Sequence, residues 1–485
     1  MKSMGALPQV RLTFDGATID AALAAALAGV RVQQRLSLPA MCELTFSQRA
    51  RPLESVPDIG ARLSLRVDDD ALLFEGDIVA IEYASRPATG RTVRLRAYDD
   101  LHKLRGRQPV KAHTEFTPAS LARELAGIDV DADADGQTIA RSIQYRQNDL
   151  AYLTEVCARA GLEFVIDDGT LYLLRLEESS DAVELELDDT LLEARVESNA
   201  LPLCKSVAAH GWNPPDRALH SGTADADDID TDSIHTLSDE LLLGDAHAEE
   251  IAAAELARTN HAAVSMWGIA AGDVRLRPGA TVSIRGVAPD PMTAVLTSVD
   301  HTIARTNGFR SEFSNELPER RLRERGAIAA PGVVVRVDDP ENMGRVKLTL
   351  PTFEDVETEW LPVVTAGGGS AKGLIAVPDI DDLVLALFPR GELAHGLILG
   401  GLYRDNHPDA GIEGARVKRF SFLTSGGQKL QFDDVRRSIR VENKEGSYVE
   451  LTPDRMEVHS ATDLDIAAPG RAVTIRGNTI DFQKA

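Results

Sequence analysis

Cysteine is scarce in this chain of 485 residues, which contains three: Cys42, Cys157 and Cys204. They are odd in number, far apart and without the spacing of metal ligands, which excludes a disulfide framework and a cysteine-rich metal site. This sparse use of cysteine is typical of proteins that fold in a reducing compartment. We therefore expect assembly in the cytoplasm.

Positive charge is also in short supply, because 52 Lys and Arg residues face 76 Asp and Glu residues, for a formal net charge of −24. Binding to phosphates needs a basic surface, so this balance excludes a general nucleic-acid binder. Solubility is the simplest role of the surplus acids. They are densest in 225–250, where ten occur without any Lys or Arg, and we interpret this segment as solvated.

Long apolar runs are absent as well. The first residues, Met1–Gly5, lead into no apolar core long enough for a secretion signal. No stretch reaches the roughly 18–20 apolar residues that a membrane span needs. The sequence predicts neither a signal peptide nor a membrane helix, and a protein of this kind that acts outside its cell is expected to leave without a conventional signal.

Catalytic and metal-binding motifs are missing too. The 11 histidines are scattered, and no His-Glu-x-x-His, Gly-x-Ser-x-Gly or phosphate-binding loop occurs. The acidic run 227–232 superficially resembles a calcium loop but lacks its glycine and terminal glutamate, so we interpret it as a solvated loop. No histidine follows His459, so this part of the sequence contains no His-x-His pair that could bind a metal. We predict no enzyme, no catalytic residue, no cofactor and no metal.

What the chain does contain is a succession of short β-strands separated by frequent glycine and proline, at 37 and 23 residues. Period-two apolar patterns dominate 1–113 and 191–325, and two helical patterns with a hairpin interrupt them over 114–190. Further helices are predicted over about 20–28 and 238–260. The fold class is therefore mainly β with a small α+β insertion.

Short strands also fill 326–410, where their spacing predicts a small Greek-key barrel of the OB type. The predicted strands are Gly332–Val337, Gly344–Leu350, Glu359–Thr365, Gly373–Pro378, Asp382–Phe388 and Gly396–Leu402. Gly344 is expected to allow the tight turn after Asn342, where a side chain would clash. Trp360 is expected to pack inside the barrel, and Arg345 and Lys347 are expected at solvated strand positions.

The last segment, 411–485, carries the most regular pattern in the chain. Apolar residues recur there as i, i+2 pairs, and such pairs lie on one face of a β-strand. The pairs are Leu430/Phe432, Ile439/Val441, Val449/Leu451, Met456/Val458, Leu464/Ile466, Val473/Ile475 and Ile480/Phe482. One thin layer of seven such strands cannot bury its apolar faces alone. The pattern therefore predicts a stacked β-array that needs copies of itself.

Motifs in the OB segment and the insertion stand in a specific order. They are Val333–Val337, Asp339–Lys347, Trp360, Pro378, Asp382–Val384 and Gly400–Tyr403, preceded upstream by Tyr98–Leu104, Gln147–Leu153, Ala160–Leu162 and Asp167–Leu171. In this order they resemble the VgrG-like and phage tail-hub or cell-puncturing spike proteins of contractile injection systems. Asp381 departs from the family, which usually has glycine at that turn.

The resemblance implies a homotrimer with a mechanical function. Residues 1–325, called the hub below, would hold two β-barrel-like domains that meet a hexameric tail tube and baseplate proteins. Residues 326–410 would form an OB-fold collar, and 411–485 a triple-stranded β-helix, or β-prism, needle. The fourteen paired residues would then be the needle core at the trimer axis.

At the end of the needle, Ile480 and Phe482 would contact a PAAR-like tip protein, because an open β edge otherwise invites aggregation. The spike would join the tail tube to this tip and pierce the target envelope. The resemblance implies a particle assembled in the bacterial cytoplasm and delivered or released extracellularly. It leaves open whether the particle is a phage, a type VI apparatus or an extracellular injection system.

A glycan-binding or glycan-cleaving β-solenoid fused to adaptor domains is the alternative. It would need aromatic stacking platforms or paired carboxylates along the tail. From Leu430 onward the tail holds Tyr448 and two phenylalanines, without an ordered ladder of carboxylates. The sequence therefore favours the spike over the glycan-directed protein.

Overall fold

The computed structural model describes residues 7–48, 56–68, 70–86, 90–132, 135–177, 181–226, 229, 231–317, 326–404 and 408–483. Part of the calcium-like run 227–232 lies outside these residues, as do Lys484 and Ala485. The chain divides into two compact units, Met1–Leu402 and Tyr403–Ala485. Strands dominate both units, which confirms the mainly β fold class.

The regular elements of the first unit follow one another in a β-rich order. Its strands in the hub are β1 (Val10–Phe14), β2 (Ala17–Thr18), β3 (Leu27–Arg35), β4 (Leu38–Gln48), β5 (Arg62–Val67), β6 (Ala71–Arg86), β7 (Gly90–Tyr98), β8 (Lys111–Phe116), β9 (Val130–Ala132), β10 (Ile139–Gln144), β11 (Glu163–Asp167), β12 (Thr170–Leu174), β13 (Val183–Glu186), β14 (Leu191–Ser198), β15 (Ser206–Asn213), β16 (Ala218–Asp225), β17 (Ile234–Glu240), β18 (Val264–Ala271), β19 (Thr281–Arg285), β20 (Met292–Val295), β21 (Ser298–Ala304) and β22 (Gly308–Ser314). Its helices are α1 (Ala21–Ala26), α2 (Pro118–Ala126), α3 (Asp149–Arg159) and α4 (Asp245–His261).

The OB segment and the second unit contain the remaining strands. They are β23 (Ile328–Arg336), β24 (Lys347–Leu350), β25 (Val356–Glu357), β26 (Leu383–Phe388), β27 (Leu397–Leu402), β28 (Ile412–Glu413), β29 (Arg416–Val417), β30 (Arg419–Leu423), β31 (Lys429–Asp433), β32 (Ser438–Glu442), β33 (Tyr448–Leu451) and β34 (Met456–His459).

An 11-stranded sheet, in the order β14-β18-β22-β21-β3-β4-β7-β6-β5-β1-β2, organises the hub. Its two predicted halves meet where β21 pairs with β3, with Ser298 opposite Arg35 and Ala304 opposite Gly29. Strands from 1–113 and 191–325 thus extend one sheet, and within the described residues this sheet does not close into two separate barrels. Leu63 and Leu65 show the alternation that builds its core, because both are fully buried.

Local capping residues fix the helices of the insertion. The Thr117 hydroxyl accepts the N–H of Ser120, and Pro118 occupies the first position of α2, as predicted. Asn148 caps α3, which confirms the second predicted helix. The other two helices are shorter than predicted: α1 ends at Ala26 because β3 begins at the next residue, and α4 begins at Asp245, after 238–240 have formed the end of β17.

The OB sheet has the order β25-β24-β23-β26-β27. Two of the six predicted strands are not regular strands here. Glu359–Thr365 makes only the isolated bridges Val346↔Leu361 and Val363↔Ile398. The first lies next to β24 and the second on β27, so the segment connects the two ends of the sheet. Gly373–Pro378 has no strand partner among the described residues, although its apolar pattern resembles that of a strand.

The second unit contains a five-stranded antiparallel sheet in the order β30-β31-β32-β33-β34. Four of the seven predicted apolar pairs lie in β31 to β34. The last three pairs, from Leu464 to Phe482, were predicted as strands but lie in segments without regular structure. A strand needs a hydrogen-bonding neighbour, and within one chain these segments have none.

His301 on β21 makes the stability of the hub depend on pH. It is 1% exposed, donates from Nε2 to the Leu276 carbonyl at 3.0 Å, and accepts from the Ser311 hydroxyl at 2.8 Å. Burial lowers the pKa of His301 to about 4. Unfolded histidine binds its proton near pH 6.5, so the folded state loses stability as the pH falls from about 6.5 towards 4.

We expect the His301→Gln variant to lose less stability on acidification than the wild type, because Gln binds no proton in either state. Thermal unfolding midpoints at pH 7.5 and 5.5 measure this difference. The matched control, His459→Gln at an exposed position, should behave as the wild type does. Equal acid sensitivity of His301→Gln and the wild type would contradict the prediction.

Candidate functional site

Strand register in the second unit aligns apolar side chains into two rows on one face of the sheet. The first row is Phe420, Phe432, Ile439, Leu451 and Met456, and the second is Phe422, Leu430, Val441, Val449 and Val458. Residues directly opposite one another on antiparallel strands point to the same face. The sequence-predicted pairs from Leu430 to Val458 are therefore brought together, and we call these ten residues the apolar face.

The apolar face has no cover in the single chain. None of its members is buried: Leu430 and Val449 are half-buried, and the other eight are exposed, from 39% at Phe432 to 66% at Met456. Phe420 and Phe422 extend the two rows beyond the predicted pairs, which begin at Leu430. Their own i, i+2 spacing was the signal that could have included them.

The opposite face of the same sheet is polar. Gln431, Arg440, Glu450 and Glu457 form a row there. Arg440 donates to Glu442 at 2.6 Å, and this guanidinium lowers the pKa of the Glu442 carboxyl. The sheet is therefore one-sided, with water-compatible side chains on one surface only.

The remaining predicted needle residues lie beyond this sheet and are not brought together. Leu464, Ile466, Val473, Ile475, Ile480 and Phe482 are all at least 50% exposed, and Phe482 reaches 87%. They continue the same i, i+2 pattern without strand pairing. They form a second apolar segment that the single chain leaves uncovered.

In the OB segment, an acidic side chain organises the turn before β24. The Asp339 carboxylate accepts the N–H groups of Glu341, Met343 and Arg345. Arg345 also binds it through Nη2 at 2.7 Å, and this contact holds the pKa of Asp339 well below its usual range. Gly344 completes the turn with a φ of +71°, a conformation that favours glycine.

The expectation that Arg345 and Lys347 are solvated is wrong. They are 4% and 7% exposed, because Arg345 pairs with the buried Asp339 and Lys347 lies within 4 Å of the partly exposed carboxylates of Glu357 and Glu359. Lys347 lies 3.4 Å from Glu357, and its ammonium is 5.5 Å from the centre of the Trp360 ring. Trp360 is 8% exposed and also receives the guanidinium of Arg336 at 5.2 Å. The ring is thus buried against cations as well as against apolar atoms.

Polar contacts join the OB segment to the hub at three separated places. They are Arg141 Nε to Glu359 Oε1 at 3.0 Å, Arg345 Nη1 to the Pro215 carbonyl at 3.3 Å, and Arg390 Nη2 to the Ser238 carbonyl at 3.2 Å. Ile143 and Tyr145 of the insertion also belong to the apolar core of the OB segment. The OB segment and the hub therefore share one continuous set of buried contacts.

Among the described residues, no group of three or more His, Cys, Asp or Glu side chains is arranged to hold a metal ion. No helix in the described part of the chain is long and apolar enough to cross a membrane. The features that stand out are the uncovered apolar face and the buried charges of the OB turn.

We expect the buried Asp339–Arg345 pair to be important for stability. Asp339→Asn leaves the buried Arg345 with the exposed Glu341, at 3.1 Å, as its remaining acidic partner, so the free energy of unfolding should fall by about 1.5–3 kcal/mol. Urea unfolding measures this loss. As the control, Arg195→Ala removes an ion pair with Glu197 whose side chains are 78% and 51% exposed, and should cost less than about 1 kcal/mol. Similar losses in both variants would contradict the assignment.

Comparison with known proteins assigns the OB segment. Residues 330–403 match the family model of the type VI secretion system and phage-baseplate injector OB domain. Comparison with curated proteins yields no match. The matched residues coincide with the OB sheet and with the turn that Asp339 organises.

Solved structures extend the likeness to most of the chain at the level of fold. A chain of the lidded Francisella PdpA–VgrG complex is 9% identical, with a TM-score of 0.55 over 93% of this chain and 79% of that chain. The 43 kDa tail protein of prophage MuSo2 from Shewanella oneidensis is 13% identical, with a TM-score of 0.50 over 63% of this chain and 97% of that chain. The resemblance predicted from the sequence is therefore confirmed: the chain carries an injector OB domain within the fold of VgrG-like and phage-tail spike proteins.

Proposed function

We propose that this protein is the central spike of a contractile injection system, a homotrimer that joins the tail tube to a puncturing tip. The observation that carries the proposal is the apolar face, whose ten aligned side chains have no cover in the single chain. A contiguous apolar surface with polar surroundings marks an interaction site on a soluble protein. The likeness of the fold to VgrG-like proteins favours a spike as the assembly in which this interaction occurs.

Copies of the same chain are the partners that suit a one-sided sheet. Three sheets that turn their apolar faces to a common axis leave the polar row around Arg440 in water. Fully burying one Val, Leu, Ile, Phe or Met side chain stabilises by roughly 1.5–3 kcal/mol. The partly covered residues here gain less than that, but the gain repeats along both rows and in every chain. A cyclic oligomer presents the same surface from each copy.

The segments beyond β34 support the same arrangement. Residues 460–483 continue the apolar pairs without strand pairing in one chain. In a triple-stranded β-helix, each strand obtains its hydrogen-bonding neighbours from the other two chains. The proposed trimer thus supplies the missing strand partners of Leu464–Phe482.

The partners at the two ends follow from the family likeness. The hub would dock on a hexameric tail tube and baseplate proteins, and Ile480 and Phe482 would contact a PAAR-like tip. We place assembly in the bacterial cytoplasm, within a phage tail-like particle that is delivered or released without a signal peptide. Contraction of the sheath would then drive the tube and spike through a target envelope.

Neither catalysis nor glycan binding is part of the proposal. The aligned Phe420, Phe422 and Phe432 share their face with aliphatic side chains. A sugar site needs polar groups beside its aromatic rings to hold hydroxyls, and this face offers none among its ten members. A structural role with a dry interface fits the face better.

The trimer depends on the apolar face in this proposal. We expect Ile439→Asp combined with Val441→Asp to yield a monomer, because six carboxylates would be placed near the axis of a trimer. Mass from light scattering measures the outcome. The matched control places two carboxylates on the polar face, through Ser421→Asp and Gln431→Asp, and should remain trimeric. A monomeric wild type, or a trimeric Ile439/Val441 variant, would overturn the proposal.

The second apolar segment, from Leu464 to Phe482, allows an equivalent test. Leu464→Asp combined with Ile466→Asp should abolish a heat-resistant or SDS-resistant trimer, because both side chains would face the axis. Gel migration before and after heating measures the resistance. A variant trimer as resistant as the wild type would contradict the axial placement of this pair.

The tip contact has its own test. Ile480→Asp combined with Phe482→Asp should remove a small tip protein from isolated particles while leaving the trimer intact, because only the last pair is altered. Affinity capture followed by mass spectrometry identifies the retained proteins. Asn478→Asp, at an exposed position in the same segment, is the control and should retain the tip. Particles that contain no tip protein in the wild type would contradict the proposed contact.

A further inference from the structure

One segment of the OB domain buries almost nothing in its own chain. We call residues 364–382 the OB arm. Every residue of the arm is exposed except Pro378, which is half-buried. The arm follows the bridge between Val363 and Ile398, and returns to the sheet where the N–H of Asp381 donates to the Val334 carbonyl at 2.9 Å.

The backbone of the arm is hydrogen-bonded near both of its ends and open between them. Val364 donates its N–H to the Ile398 carbonyl at 2.8 Å, and Leu374 donates to the Ala366 carbonyl at 3.1 Å. Beyond Leu374 the pairing stops: within the described residues, no hydrogen bond involves the backbone of 375–377. This stretch is a strand-like edge whose N–H and C=O groups are open to another strand.

The composition of the arm is also unusual for a surface in contact with water. Charged residues make up 26% of the chain, yet Lys372 is the only charged residue from Val364 to Pro378. Ile375 is 92% exposed, and Leu374 and Val377 are 46% and 44% exposed. An apolar stretch with so little charge has the composition of a covered surface, yet the described part of this chain leaves Ile375 open and covers only about half of Leu374 and Val377.

The same OB sheet offers an unpaired edge that could receive such a strand. β27 is the last strand of the sheet, and beyond Ile398 no described strand pairs with its outer side. Leu399 and Leu402 on this strand are each 43% exposed, and a Cβ added at Gly400 would meet no atom within 4 Å. Glycine in an edge strand permits another backbone to approach closely.

We propose that Leu374–Val377 adds as a β-strand to the outer edge of β27 in a second copy of this chain. This inference rests on the proposed trimer and assigns a second contact between its copies. The stretch Val364–Pro378, whose one charged residue is Lys372, can approach another copy of a chain with a net charge of −24 without strong repulsion. An arm that binds a different surface of its neighbour makes a head-to-tail contact, and such contacts form a closed ring when copies are related by a three-fold rotation. Main-chain hydrogen bonds give the affinity, as in other strand additions.

Crosslinking between engineered cysteines tests the contact. Cys42, Cys157 and Cys204 are all buried, so thiols introduced by Ile375→Cys and Gly400→Cys should be the reactive ones. With a short bis-maleimide, the double variant should form covalent dimers and trimers on a denaturing gel. The control double variant, Leu201→Cys with Gly400→Cys, places one thiol at a hub position that is 91% exposed, and should stay monomeric on the gel.

Light scattering on the same samples separates the two proposals. A monomer in solution overturns the trimer and, with it, the strand addition. A trimer in solution that gives only monomer bands after crosslinking, whether from no reaction or from a link within one chain, overturns the strand addition alone. Covalent trimers specific to positions 375 and 400 support both.

Hydrogen exchange gives a second readout that needs no substitution. The amides of 375–377 are unbonded in the single chain, so strand addition should slow their exchange in the trimer on the order of tenfold or more relative to the same amides in separated copies. Dilution or the Ile439/Val441 variant, which separates the copies, should remove this protection. Exchange at the same rate in the trimer and the monomer would overturn the proposal.

Discussion

A β-sheet of one layer has two surfaces and no interior, and this constraint governs the second unit of the protein. Strand alternation places the polar row of Arg440, Glu450 and Glu457 on one surface and the apolar face on the other. Hydrogen bonds between strands fix the sheet but bury none of these apolar side chains. The stability of this unit therefore depends on what covers the apolar face, whereas the hub and OB domain have cores of their own.

The sequence revealed much of this arrangement because strand alternation has a short and strict period. The pairs from Leu430 to Val458 could be assigned to one face before any strand partner was known, and their register then aligned them in rows. Phe420 and Phe422 are not among the predicted pairs, because the predicted pattern begins at Leu430. The N-caps of α2 and α3 could also be predicted, because Thr117 and Asn148 accept hydrogen bonds from backbone N–H groups only a few positions further along the chain.

Long-range contacts could not be predicted in the same way. Arg345 and Lys347 alternate with Val346 as outward residues would, yet all three are buried. The carbonyl that Arg345 reaches belongs to Pro215, 130 residues earlier, and no local pattern signals that approach. The sequence likewise predicts a hub of two barrel-like domains but not the pairing of β21 with β3, because that pairing joins residues more than 260 positions apart. Gly373–Pro378 has the composition of a strand, but its own chain supplies no neighbour.

The contacts between the OB domain and the hub have a mechanical consequence. Arg141, Arg345 and Arg390 each reach a different segment, while Ile143 and Tyr145 enter the OB core. A compressive load along the long axis of the proposed spike would be divided among several points of the hub, so no single linker would carry it. Guanidinium contacts can slide and re-form after a small shear, whereas a packed apolar core resists it. Such a joint combines stiffness in compression with tolerance of brief displacement, and both properties suit the proposed role of the spike.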